Sequence, residues 1–184
     1  QQVRLSADKV FERLSEYLSF TDDVQQALDW LLHQGLEGES VRVMGIDDFL
    51  ERLRETLRAK HREVNLRDAF TELRQRLEDV LDAEREALDR LADAEEARRR
   101  RERLDRLPSR VSEALERLRD EGLVGEESRA ALDALLEELD DIRDLEEFDR
   151  RFGDLFHGPV SLSYQEAVEL MRLVERLKRL EEQL

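Results

Sequence analysis

A chain of 184 residues is long enough for one sizeable domain or two small ones. Its formal net charge of −16 argues against general binding to nucleic acids or to anionic membrane surfaces, since both need an excess of cations. The absence of cysteine excludes disulfides and thiolate metal sites, and no apolar run approaches the length of a membrane span. We therefore expect a bacterial-type cytoplasmic protein.

The composition predicts an all-α fold. Leu, Ala, Glu and Arg dominate, whereas there are only 2 prolines, 7 glycines and 5% aromatic residues. Charged residues make up 42% of the chain, which is well above the usual fraction of about 25%. A sheet would require more β-branched and aromatic residues and more turn glycines.

The first 64 residues predict three helices. Apolar periodicity indicates a helix over 6–20 and a second one between a capping Thr21 and a terminating Gly35, joined as an αα-hairpin. The glycine-rich stretch 36–45 is predicted to be a loop. A third helix is expected over 47–62, followed by a break.

The stretch 66–107 contains no Gly and no Pro, and its apolar residues recur at steps of three and four. This pattern predicts one long central helix at about 65–106, which would span roughly 60 Å. No single small core can bury a helix of that length, so we expect helical hairpins at either end of it. The fold prediction is therefore an elongated multi-helix bundle built around this helix.

The last third of the chain predicts further helices. Pro108 is suited to the first position of a helix that ends at Gly122, and apolar periodicity indicates helices over 126–140 and 145–156. Ser163 and Glu166 form a capping box at the start of the final helix.

These elements suggest a division into an N-terminal helical region at 1–64, the central helix at 65–107 and a C-terminal bundle at 108–184. We expect the three parts to form one elongated unit.

The consecutive arginines Arg98, Arg99, Arg100 and Arg101 are the candidate partner-contact residues. One interpretation is a basic contact for the acidic face of a partner or for nucleic acid. The other is a solvated helical segment, in which these arginines pair with glutamates one turn away. No aromatic residue is interleaved for base stacking, which favours the second interpretation.

No catalytic, cofactor-binding or metal motif occurs in the sequence, so we predict neither an enzyme nor a bound cofactor. Asp29 and His33 are one helical turn apart, but two ligands are too few for a closed metal site. His61 is expected near a helix end, where a cationic ring would suit the dipole, and His157 is expected to act as a cap in a Gly-Pro turn. Trp30 is interpreted as partly buried core.

Several segments resemble a family of bacterial proteins that carry a C-terminal von Willebrand factor A domain. The hairpin sequence at 22–36 resembles an early D-x-x-x-A-L-x-x-L-L-x-x-G pattern of that family, and further similar segments follow at 45–54, 81–89, 104–108 and 152–177. The D-x-S-x-S motif that binds Mg²⁺ in the A domain does not occur here, so no metal residue is carried over.

The resemblance implies a non-catalytic helical adaptor module that acts on a MoxR-type AAA+ ATPase or its client. Two alternatives remain open. The apolar stripe that begins at Leu66 would also suit a self-associating coiled-coil scaffold, and hence a homo-oligomer. A metal-dependent helical-bundle enzyme that uses scattered carboxylates is the remote alternative.

Overall fold

The computed structural model describes the backbone of residues 46–183 and the side chains of residues 51–182 apart from Arg52 and Leu180. This part of the chain is an all-α helical bundle with a single pair of two-residue strands, as the composition predicts. The helices predicted over 6–20 and 22–34 and the loop predicted over 36–45 lie outside the described residues.

Seven helices occur within the described range. They are α1 Ile46–Glu63, α2 Arg67–Asp89, α3 Ala94–Leu104, α4 Val111–Glu121, α5 Glu126–Glu137, α6 Leu139–Phe152 and α7 Tyr164–Gln183. A single 3₁₀ turn, Gly153–Leu155, follows α6, and the strands are β1 Val64–Asn65 and β2 Val160–Ser161. The predictions of a helix over 47–62 and of a break after it are confirmed.

The single long helix predicted over 65–106 is wrong, because residues 90–93 separate α2 from α3. Asp93 has an extended backbone, and its Oδ1 accepts hydrogen bonds from the amides of Glu95 at 3.1 Å and Glu96 at 3.0 Å. This is an N-cap, which satisfies amides that have no partner inside the new helix. Asp93 with glutamates two and three residues later is a typical helix start. The helical spacing of apolar residues continues through the break, however, and conceals it.

Two boundaries in the last third of the chain also differ from the prediction. Pro108 does not begin α4, whose N-cap is Arg110 with φ −77° and ψ 129°. The helix predicted over 126–140 ends at Glu137, and α6 begins at Leu139 rather than at Leu145. The buried residues of α6 repeat every three positions from Leu139 onwards, so its buried face begins at the first residue of the helix.

The described residues form two compact units. The first, unit A, contains 46–64, 156–159 and 169–183, and the second, unit B, contains Asn65–Leu155 and Val160–Val168. The division into domains predicted from the sequence stays a prediction.

Unit B has a core made by five helices. α2 packs most extensively on α5 and also contacts α3 and α4, while α4 and α5 both contact α6. The largest fully buried apolar side chains of this core are Leu73, Val80, Leu88, Leu115, Leu118, Leu135, Ile142 and Leu145. The stripe of α2 is therefore covered by helices of the same chain.

The strand pair, which the sequence did not predict, positions the start of α2. Leu162 donates its amide to the carbonyl of Asn65 at 3.0 Å, and Ser161 Oγ accepts from the Asp68 amide at 3.0 Å. The Oδ1 of Asn65 accepts from the amide of Arg67 at 3.1 Å and from Ser161 Oγ at 2.8 Å. Side chains from two distant segments thus cap a helix whose own N-cap residue, Leu66, contributes no side-chain bond.

The capping box at the start of α7 is confirmed. The Ser163 amide donates to Glu166 Oε2 at 2.8 Å, and the Glu166 amide donates to Ser163 Oγ at 3.3 Å.

Unit A joins α1 to the short segment Phe156–Pro159, which we call the return segment. His157 donates its amide to the carbonyl of His61 at 3.1 Å, and Gly158 donates to the carbonyl of Val64 at 2.9 Å. Its buried side chains are Leu53, Val64, Phe156, Leu170, Met171, Val174 and Leu177. Across the described residues no helix combines the length and the apolar character that a membrane crossing needs.

Candidate functional site

The candidate arginines lie on α3, a helix with only two buried side chains. Ala97 and Leu104 are buried at 3% and 7% exposure, and they fix which face of the helix meets unit B. Glutamates occupy the first turn and arginines the last turn, a distribution that complements the helix dipole. Apart from Ala94, the rest of the helix surface is charged.

Arg98 and Arg99 pair with glutamates of their own helix. Arg98 contacts Glu95 at 2.6 Å and Glu102 at 2.9 Å, and Arg99 lies 3.9 Å from Glu95. The hydrogen bond that Arg98 donates to Glu95 is the main cause of the raised pKa of its guanidinium, with a Coulombic contribution from Glu102.

Arg100 and Arg101 are paired as well. Arg100 Nε donates to Glu96 Oε1 at 2.8 Å, and Arg101 forms an ion pair with Asp89 at the end of α2. The structure therefore places a carboxylate of the chain itself on each of the four candidate arginines, which is the arrangement that the solvated-helix interpretation describes. Their contact with a partner stays a prediction.

Among the described residues, the one buried charged residue is Glu84 on α2, which is 2% exposed. Its Oε1 accepts from the amide of Val124 at 2.8 Å, and its Oε2 accepts from the amide of Gly125 at 3.0 Å and from Ser128 Oγ at 2.6 Å. Gly125 is the N-cap of α5 and has no side chain with which to cap it. Glu84 supplies that cap from a helix about forty residues earlier in the chain.

Two more glutamates cap helices from a distance. Glu146 on α6 accepts the amide of Ser112 at 3.2 Å and also its hydroxyl, at the start of α4. Glu72 on α2 accepts the amide of Tyr164 at 2.9 Å, at the start of α7. A carboxylate at a helix N-terminus meets both free amides and the positive end of the dipole.

Sequence reasoning missed these three glutamates, although one signal was present. Glu84 lies four residues after Val80 and four before Leu88, so it is on the apolar face of α2. An isolated charge on a buried face must find hydrogen-bond partners, because an unpaired buried carboxylate is costly.

His61, at the end of α1, packs against the return segment of unit A. Its ring meets the ring of Phe156 edge-on, with 4.6 Å between centroids. Burial lowers the pKa of His61, and the nearby His157 lowers it further. Burial therefore opposes the cationic ring that the helix dipole would favour, and the charge expected on His61 stays a prediction. Asp29, His33 and Trp30 lie outside the described residues.

The lowered pKa of His61 predicts a pH dependence of stability. The unfolded chain takes up a proton near pH 6.5, whereas folded His61 takes it up only at lower pH. The stabilisation is therefore fully present above about pH 6.5 and is lost as the pH falls through this value towards the folded pKa. We expect urea unfolding curves of His61→Gln to lose less stability than wild type over this range. Equal losses in both proteins would contradict the assignment.

Within the described part of the chain, no three side chains of His, Asp or Glu are grouped so that they could hold a metal ion. The buried carboxylate of Glu84 is engaged by two amides and a hydroxyl. Chemically, this group stabilises a helix end.

Comparison with known proteins gives a family match. Residues 67–138 match the model of a protein family described as the Mb0984 helical domain. The matched stretch begins with α2 and ends one residue after α5, so it contains Glu84, its partners on the α4–α5 connection and the arginines of α3. No curated protein and no protein of known structure gave a significant match.

Proposed function

We propose that this chain is a non-catalytic helical interaction module, which acts as an adaptor for a MoxR-type AAA+ ATPase or its client. The sequence segments similar to von Willebrand factor A-domain proteins support the choice of partner. Residues 67–138 are similar to a family of helical domains, which supports a module built from this helical bundle.

The observation that carries the non-catalytic part of the proposal is the use of the buried carboxylates. In enzymes, buried acids with few partners serve as proton donors or acceptors. Here both oxygens of Glu84 accept hydrogen bonds, from two amides and a hydroxyl. Both oxygens of Glu146 accept hydrogen bonds from Ser112. These acids hold helix ends in place and leave the exposed charged surface to make contacts.

The burial of the α2 stripe favours an adaptor over a coiled-coil scaffold. Leu73, Val80 and Leu88 are at most 1% exposed, and α5 of the same chain packs along this helix. A coiled-coil scaffold needs such a stripe to face a second chain.

The test is to mix the full chain with a MoxR-type ATPase from the same organism and to measure the mass of the product by light scattering after size exclusion. The mixture is measured with ATP, with ADP and without nucleotide. We expect a complex in at least one nucleotide state. A chain that forms no complex in any state contradicts the adaptor proposal, and a chain that is by itself dimeric in the same measurement supports the scaffold.

A further inference from the structure

The break between α2 and α3 interrupts the helical backbone over a short stretch. Before it, the amides of Arg90 and Leu91 still donate to carbonyls three residues earlier, at 3.2 Å each. After it, the amide of Ala97 donates to the carbonyl of Asp93 at 3.0 Å, as in an α-helix. Arg90 has a right-handed helical backbone with φ −92° and ψ −5°, whereas Asp93 is extended with φ −85° and ψ 98°. We call residues 90–93 the hinge.

The sequence of the hinge suits a continuous helix. Its first three residues are arginine, leucine and alanine, which have high helix propensities, and the surrounding stretch 66–107 contains no Gly and no Pro. The fourth residue, Asp93, stabilises the break, because its side chain accepts the amides of Glu95 and Glu96 at the start of α3. The local preference for two helices rather than one therefore depends on a single side chain.

Contacts with α2 hold α3 in its folded-back position. Arg101 of α3 forms an ion pair with Asp89 of α2. A carboxylate oxygen of Asp105, directly after α3, lies 4.0 Å from the guanidinium of Arg85 on α2. In a continuous helix the backbones of Arg85 and Asp105 would be about 30 Å apart. A shift of that size carries α4 and α5 away from the α2 of their own chain, on which they pack.

A second copy of the chain can restore the contacts that straightening removes. If both copies straighten, α3, α4 and α5 of each can pack on α2 of the other through the same residues, including the cap that Glu84 provides for α5. Association and the loss of two Asp93 caps oppose this dimer, whereas two continuous helices favour it. Exchange of identical elements between copies is a low-cost route to a dimer.

We infer that the hinge allows this chain to exchange the helices that follow it with a second copy, which gives a dimer with α2 and α3 joined as one helix. In this exchanged dimer the α2 stripe still meets α5, so it differs from a coiled coil of two such stripes. The inference goes beyond the proposed adaptor function, and its test involves no ATPase. We expect the wild-type chain to be mainly monomeric, because Asp93 stabilises the break.

The test compares Asp93→Ala with the matched control Asp93→Gly. Both remove the same charge, but glycine is a good N-cap and disfavours a continuous helix, whereas alanine is a poor N-cap and favours one. Each protein is refolded from urea at a low and at a high concentration, so that exchange can equilibrate. Its mass is then measured by light scattering after size exclusion, with circular dichroism as the check of folding.

We expect Asp93→Ala to form a dimer at the high concentration, with a dissociation constant about a hundredfold below that of wild type, because each dimer contains two hinges. Asp93→Gln, a second poor N-cap with high helix propensity, should behave in the same way. The dissociation constant of Asp93→Gly should stay within about threefold of wild type. Alanine and glutamine variants that stay monomeric overturn the inference, as does a glycine variant that dimerises equally well.

Intrachain distances distinguish the exchanged dimer from a dimer of closed chains. The chain has no cysteine, so spin labels can be attached through Asp79→Cys and Arg103→Cys, at exposed positions of α2 and α3. The labelled Asp93→Ala protein is refolded with an excess of unlabelled Asp93→Ala protein, so that both labels of a measured pair belong to one chain. A continuous helix places the two positions about 36 Å apart, whereas the folded-back α3 of the monomer keeps them closer. A dimer that retains the distance of the monomer overturns the inference.

Discussion

Replacing Glu84 by alanine should lower the free energy of unfolding by about 3 kcal/mol, measured by urea denaturation. The substitution leaves the amides of Val124 and Gly125 and the hydroxyl of Ser128 without their acceptor in a buried site. Alanine has the higher helix propensity, so the local effect on α2 alone would be slightly stabilising. A large loss therefore comes from the cap at the start of α5, together with the packing lost around the buried side chain.

Glu86→Ala is the matched control, because Glu86 lies on the same helix two residues later and is exposed. It should change stability by no more than about 0.5 kcal/mol. The loss of stability in Glu84→Gln should lie between those of the two alanine variants. Glutamine keeps one acceptor oxygen, but it places a side-chain NH₂ group opposite the donors. If Glu84→Ala and Glu86→Ala unfold at the same urea concentration, the carboxylate does not hold the helix end.

Gly158→Ala should cost about 2 kcal/mol through overpacking in unit A. A Cβ at this position would lie 2.0 Å from the carbonyl carbon of Glu63 and 2.3 Å from the amide nitrogen of Val64. These are backbone atoms, so the return segment must move away from the end of α1. That movement strains the hydrogen bond of 2.9 Å between Gly158 and the Val64 carbonyl.

Gly153→Ala provides the comparison for Gly158→Ala. Its backbone is helical, with φ −55° and ψ −39°, and its Cβ would meet only the end of the Asp149 side chain, which can rotate. We expect a change within about 1 kcal/mol for this variant. Thermal unfolding followed by circular dichroism measures both variants, and a Gly158→Ala protein that is as stable as Gly153→Ala would refute the close packing.

Local sequence signals predicted the elements that local forces determine. The all-α class, α1, the break before Asn65 and the Ser163–Glu166 box at the start of α7 all follow from composition, periodicity and capping chemistry. In each case the interacting residues lie within a few positions of one another. A short stretch of sequence therefore includes all the residues that form each of these elements.

The break between α2 and α3 shows how one local signal can conceal another. Apolar residues continue at helical spacing through Leu88, Leu91 and Ala94, so periodicity favours one helix. The N-cap at Asp93 ends that helix and begins a second one. Periodicity describes which face is apolar, whereas a cap determines where the axis can change direction.

The polar contacts that define the candidate site could not be predicted because they join distant segments. Glu84 meets an amide 40 residues later, Glu146 meets one 34 residues earlier, and Arg117 reaches a carbonyl 11 residues earlier. The sequence shows that Glu84 is a charge on an apolar face, but only the packing of α2 on α5 shows which helix end it meets. For the same reason the sequence indicated Glu95, Glu96 and Glu102 as partners of the arginines on α3, but not Asp89 of α2, which pairs with Arg101.

Amide hydrogen exchange at Val124 and Gly125 tests most directly whether the buried carboxylates act as helix caps. We expect both amides to exchange slowly in the intact protein, to lose that protection in Glu84→Ala and to keep it in Glu86→Ala. Rapid exchange of both amides in the wild-type protein would contradict the cap. Glu84 would then be a buried acid available for chemistry, and the non-catalytic function proposed here would lose its main support.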